Sequence, residues 1–195
     1  MVRPEQIVDE LESLTAQSLA ELARFVEYLK WKQGLTAPAG GGQTWLFDFV
    51  EHFRRAILTA EHDPAGMEVQ IGEAVCAGQA RMALWQHPPV QGSSIVEYQV
   101  PVPTNVSKLR LRFATGIRDG SQLAEGNVVA FRIFVNDWKI WSDTQHMRRW
   151  KHHDIEMPTL PGDVVRIQFM TDGLGNHEWA WAVWGEPKLV GETAG

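Results

Sequence analysis

The stretch Trp138–Asp154, WKIWSDTQHMRRWKHHD, gathers side chains suited to holding a ligand. Trp138, Trp141 and Trp150 are interleaved there with Lys139, His146, Arg148, Arg149, Lys151, His152 and His153. An indole face stacks on the C–H face of a sugar ring or on a base, while a guanidinium fork holds carboxylates, phosphates or hydroxyls. The stretch follows a strand and a turn, so it is expected to form a binding loop, with the three tryptophans, Arg148, Arg149 and His152 as its contacts. His87, just before Pro88-Pro89, is expected to fix a loop mouth near the binding end, and Arg118 to assist. The opposing reading buries the three indoles and leaves the charges solvated.

Other chemistry finds little support. Adjacent histidines on a strand point to opposite faces, no cysteine or acid pair stands at a ligand spacing, and His177-Glu178 lacks the second histidine of a zinc-protease helix. No metal and no cofactor are expected. Asp119 could be nominated with Asp172 or Glu178 as a pair of catalytic acids, but nothing in the sequence sets their separation. There is no nucleophile-elbow, phosphate-cradling or dinucleotide motif. Cys76, beside Val75 and Ala77, is expected to be a buried, inert thiol. The chain is expected not to be an enzyme.

The elements that must position these residues begin with helix. Pro4 suits a first turn, and Ile7, Leu11 and Leu14, then Leu19, Leu22, Val26 and Leu29, recur at helical spacing. The two sets are out of phase, and Ser18 with Glu21 forms a capping-box pattern between them. A helical hairpin or kinked helix is therefore expected over 4–33, too small to bury its own apolar stripe and suited to self-association. Residues 34–43, GLTAPAGGGQ, read as a linker. In 44–58 a strand is expected to turn into a short helical or irregular segment.

From Gly66 onward strands dominate, punctuated by Gly, Pro, Asn and Asp. Asn136-Asp137 reads as the turn of a hairpin. Residues 176–189, NHEWAWAVWGEPKL, are expected to be a central strand burying Trp179, Trp181 and Val183 on one face, with Gly185-Glu186-Pro187 ending its pairing. Residues 191–195 read as a loose tail. Eight or so alternating strands argue for an antiparallel β-sandwich.

Composition sets outer bounds. Of 195 residues nine are tryptophan and two tyrosine, which implies an aromatic-rich core or flat faces offered to a ligand. A formal net charge of −6 disfavours nucleic acid as a partner, and the single cysteine excludes an internal disulfide. No apolar run has the length of a membrane span, and acids stand where a signal peptide would place its apolar core. A soluble, cytoplasmic protein is expected.

Four pieces in order carry a resemblance: Ala83–Pro89 (ALWQHPP), Phe113–Gly120 (FATGIRDG), Val129–Asn136 (VAFRIFVN) and Trp181–Pro187 (WAVWGEP). They resemble the galactose-binding-like jelly rolls, in particular the NPCBM-type modules appended to bacterial glycoside hydrolases, over about residues 44–190. The helical segment, with LESL at 11–14 and LAELARFVEYLKWKQ at 19–33, resembles the heads of small bacterial antitoxin-type proteins. The jelly-roll likeness implies a mainly β protein, an antiparallel sandwich over 44–190 behind an N-terminal helical element. It further implies a non-catalytic carbohydrate-binding module, multimerised through 4–33. The sequence departs from the pattern at Ala180, where such modules often carry an acid, and no calcium site is expected. The competing reading is an intracellular interaction or assembly scaffold, because jelly rolls serve many unrelated functions.

Overall fold

A computed structural model describes residues 44–157 and 164–193. The expected helical element over 4–33 and the linker over 34–43 lie outside these residues. Eleven strands are present among them: β1 (Thr44–Asp48), β2 (Ile57–Ala60), β3 (Glu68–Cys76), β4 (Gln79–His87), β5 (Ser93–Pro101), β6 (Val106–Ile117), β7 (Val129–Val135), β8 (Trp138–Gln145), β9 (Lys151–Glu156), β10 (Val164–Asp172) and β11 (Ala182–Thr193). The ambiguous segment after β1 turns through a short 3-10 turn, Phe53–Arg55, before β2. All pairings are antiparallel.

The strands form two sheets. One runs β3-β4-β11-β6-β9 with β1 also paired to β11, and the other runs β2-β5-β10-β7-β8. Only β3–β4 and β7–β8 are hairpins within a sheet; every other connection between successive strands crosses from one sheet to the other. Both hairpins close on two residues with positive φ, Ala77-Gly78 at 51° and 73° and Asn136-Asp137 at 46° and 72°. Paired left-handed residues give a turn whose twist matches that of the flanking strands.

The core lies between the sheets. Leu84, Leu109, Leu111, Trp184 and Leu189 from the first meet Val96, Tyr98, Phe131, Ile133, Ile167 and Phe169 from the second, all fully buried or nearly so. Trp184 is its centre, edge-on to Phe131 and Phe169 with centroids 5.0 Å away in each case. Its indole N–H donates to Gln86 Oε1 at 2.8 Å, and the amide of Gln86 donates to the carbonyls of Ser94 and Phe169 across the sheet gap.

The last strand corrects the sequence expectation in three respects. Pairing starts at Ala182, so Trp179 and Trp181 precede the strand, and the fully buried indole is that of Trp184. Gly185-Glu186-Pro187 does not end the pairing but forms a bulge in which Glu186 takes φ 46°. There β11 changes neighbours on one edge, from β4 over Val183–Gly185 to β1 over Lys188–Glu192, and proline costs nothing where no partner awaits its N–H. The strand then continues to Thr193, so residues 191–193 are sheet and not tail.

Only Ala83–Trp85 of β4 pair with β11. Beyond them the β3–β4 hairpin lies across the outer face of its own sheet. Its tip donates the N–H groups of Ala77 and Gly78 to the carboxylate of Asp119, each at 2.9 Å, and Asp119 N–H donates to Val75 O at 2.7 Å. Asp119 follows β6, on the far side of β11, so the hairpin must cross to reach it. Trp150 fills the gap beneath, packed with Ala74, Cys76, Ala83, Ala114 and Val183. A Cβ added at Gly185 would stand 2.8 Å from that ring, so the glycine clears a bed for the indole.

Candidate functional site

Residues Trp138–Asp154 are not one loop. β8 and β9 belong to different sheets, and the connection 146–150 joins them. Trp138 is 78% exposed at the β7–β8 turn, and β8 then carries the chain about 23 Å away from it toward the opposite end of the sandwich. Trp141 faces inward, 4.9 Å from Phe113 and 4.6 Å from His153 between ring centroids. Trp150 is 9% exposed, and its N–H donates to Gln79 O at 2.9 Å. His152 sits on the outer face of the first sheet, 3.2 Å from Arg81 Nη2, while its neighbour His153 stacks on Phe113 from the inner side. Arg149 is exposed on the connection, and Arg148 donates to the carbonyl of Ser121 at 2.9 Å. These residues share a sequence window but are spread over two sheets; His152 and His153 line one recess with Arg81 and Phe113.

Two predicted residues do come together, with Trp179 and Trp181, which the sequence places in the core, and with Trp85, to which the sequence reading gives no role. Gly116, Val183 and Trp85 stand in one row across β6, β11 and β4. Two residues onward, on the same face by the period of an extended chain, come Arg118, Trp181 and His87. Arg118 N–H donates to Trp181 O at 3.0 Å, prolonging the ladder past its last strand residue. The guanidinium carbon of Arg118 lies 3.4 Å from the centroid of Trp85 and 5.2 Å from that of Trp181. The ring of His87 is nearly parallel to that of Trp181, 8° apart at a centroid distance of 6.3 Å. Trp179, 40% exposed, lies 5.2 Å from Trp181.

The polar groups of this cluster are incompletely matched. The guanidinium of Arg118 has no hydrogen-bond acceptor among the described residues, and burial pulls its pKa below the usual guanidinium value. His87 is 8% exposed, with Nδ1 3.3 Å from Glu68 Oε2 and Nε2 without a partner. Burial pushes its pKa down, outweighing the pull of Glu68, so the ring is neutral near pH 7. Glu68 beside Nδ1 favours the tautomer that carries its proton there, which leaves the enclosed Nε2 as the acceptor nitrogen. Flat apolar faces and a set of free donors thus converge at the end of the sandwich where β4, β6 and the β10–β11 connection meet, with the enclosed ring of His87 beside them.

Of the three nominated acids, Asp119 is committed to the hairpin tip and Asp172 to Arg132 at 3.1 Å, while Glu178 lies on the β10–β11 connection. Among the described residues no three His, Cys, Asp or Glu side chains are grouped to hold a metal ion. The thiol of Cys76 is buried, and burial, with the charge of Asp119 adding to it, pushes its pKa up to about 12.

No family model and no curated protein matches this chain. Solved structures do. A CBM51 module of a Clostridium perfringens GH95 protein, in complex with methyl-galactose, superposes with a TM-score of 0.50 at 11% identity, covering 74% of this chain and 99% of that one. The tandem CBM51 modules of a Streptococcus pneumoniae family 98 glycoside hydrolase give 0.50 at 18% identity, covering 71% and 44%. The fold shared with these modules is an antiparallel jelly-roll β-sandwich. A two-domain structure from Clostridium perfringens ZmpB, with CBM51-2 in complex with GlcNAc, gives 0.48 at 12% identity, and this chain spans 29% of its length. At these identities the likeness is one of fold.

The sequence reading missed Trp85, Trp179, Trp181 and Glu68 as members of the cluster. Trp85 and Trp181 lie far apart in the chain and meet only because β4 and β6 flank β11. The sequence signal closest to them was the block around Arg118, which places an arginine where a strand ends in Asp-Gly.

Proposed function

We propose that the protein is a non-catalytic carbohydrate-binding module whose ligand sits at the Arg118 cluster, multimerised through its N-terminal segment. The observation that carries this reading is the set of unused donors on Arg118 beside exposed indole. A sugar hydroxyl accepts as well as donates, so neighbouring hydroxyls can receive from the guanidinium. The apolar face of the same ring would stack on Trp179 or Trp181. A lone anion would satisfy Arg118, but Glu68 beside the site would repel it. The fold shared with a module solved with methyl-galactose supports the same reading.

A glycan array followed by tryptophan-fluorescence titration of the full chain tests it. Arg118→Ala is expected to weaken binding roughly ten-fold or more, as loss of hydrogen bonds from a charged donor does. Trp138→Ala, far from the cluster, is expected to leave affinity unchanged. Silence of the unmodified chain across the array would sink the carbohydrate reading, and a defined protein recovered by pull-down would favour the assembly scaffold.

A further inference from the structure

We infer that Ser121 and Arg148 are positioning residues for Trp179, holding its indole beside Trp181 as the platform of the proposed site. The inference rests on the reading of that site as a ligand platform. Trp179 occupies φ 59°, a left-handed conformation that a bulky residue keeps only where its surroundings impose it. The segment around it is coiled by local bonds, Ala180 N–H to His177 O at 3.1 Å, Trp181 N–H to Trp179 O at 2.8 Å and Ala182 N–H to Ala180 O at 2.7 Å. Such bonds shape the coil without fixing it to the sandwich. Arg118 N–H anchors Trp181, which leaves Trp179 to another group.

That group is Ser121. Its hydroxyl donates to Trp179 O at 2.6 Å and receives Leu123 N–H at 3.3 Å, and the residue is 1% exposed. Arg148 in turn donates to Ser121 O at 2.9 Å. Three connections, after β6, after β8 and after β10, are therefore tied together by two side chains. The residue they hold is strained in its backbone and 40% exposed in its side chain. A core role accounts for neither property, since a core tryptophan would be covered and could relax. Arg148 thus serves the site through Ser121.

The test uses a signature that needs no ligand. Trp179 and Trp181 rings 5.2 Å apart and tilted by 46° couple as excitons and contribute a couplet to the circular dichroism. Trp179→Phe removes that contribution and so identifies it. Ser121→Ala, read against Ser121→Ala/Trp179→Phe, is expected to lose most of the Trp179-dependent couplet while still unfolding cooperatively. Where the unmodified chain binds a sugar, affinity is expected to fall about five-fold, the worth of one ordinary hydrogen bond. An unchanged couplet in Ser121→Ala overturns the inference, whether or not affinity falls. Should that variant not fold, Arg148→Ala carries the same measurement with the same two outcomes, and Arg148→Lys, which retains a donor, is expected to restore part of the signal. An unmodified chain silent toward every sugar would remove the carbohydrate reading, while the couplet would still decide whether Ser121 holds Trp179.

Discussion

Arg118 is held by the indoles of Trp85 and Trp181 and not by acceptors among the described residues, which keeps its guanidinium N–H groups available. His87 is the contrasting case, a buried ring with Nδ1 beside Glu68 and Nε2 enclosed without a partner. Its folded-state pKa lies below the ordinary 6.5, as does that of His153, buried beside Phe113 and Trp141. With both values depressed, the unfolded chain binds more protons than the folded one as pH falls. The contribution to stability is therefore complete above about pH 6.5 and is lost as pH falls below it toward the folded-state values. Urea midpoints measured between pH 7.5 and pH 5 are expected to decline, and a His153→Gln variant is expected to flatten that decline; an identical slope in the variant would exclude His153 as a cause. Residue types alone placed none of this. Trp138, Trp141 and Trp150 were equivalent as letters, yet one is exposed at a turn, one lies between the sheets and one is pressed onto a sheet's outer face.

Alternation and the Asn136-Asp137 pair made the β7–β8 hairpin legible, whereas the turn of β3–β4 fell at Ala77-Gly78, where alanine gives no turn signal. The central strand was legible as buried, but its ends were not. Gly185-Glu186-Pro187 carries the residues of a stop, and became a bulge because β11 has two successive neighbours on one edge, a property of other strands. The element that joins the sheets is β4, through Gln86. Replacing Gln86 by Leu would strand the indole N–H of Trp184 and the carbonyls of Ser94 and Phe169 in a dry interior. Each buried group left unpaired costs about 1–3 kcal/mol, and the apolar side chain recovers part of the sum. A net loss of about 3 kcal/mol is expected from chemical denaturation. A loss within about 0.5 kcal/mol, the range of an ordinary surface substitution, would show that the staple is dispensable.

For the whole molecule, a sandwich offering one small polar cluster gains from being presented in several copies, since avidity rises without new contacts. The amphipathic periodicity of 4–33 and the glycine-rich stretch after it suit that arrangement. Deleting residues 1–43 is expected to lower the mass seen in light scattering while strand content by circular dichroism is preserved. An unchanged mass would reject the oligomerisation role. Apparent affinity for a multivalent glycan surface is expected to drop in the deleted chain, with affinity for free sugar unaltered.

The sequence by itself determined the mainly β architecture, the Asn136-Asp137 turn and the apolar identity of the core, because alternation, turn chemistry and burial are set by neighbours a few residues away. It also marked Arg118 and His87 as candidates. Only the tertiary structure decided which aromatic residues join them. Trp85, Arg118 and Trp181 become one surface through the lateral order β4-β11-β6, and that order depends on pairings between segments distant in the chain. The dense run Trp138–Asp154 lost its unity for the same reason, since a strand carries its residues to two ends and a crossover to two sheets.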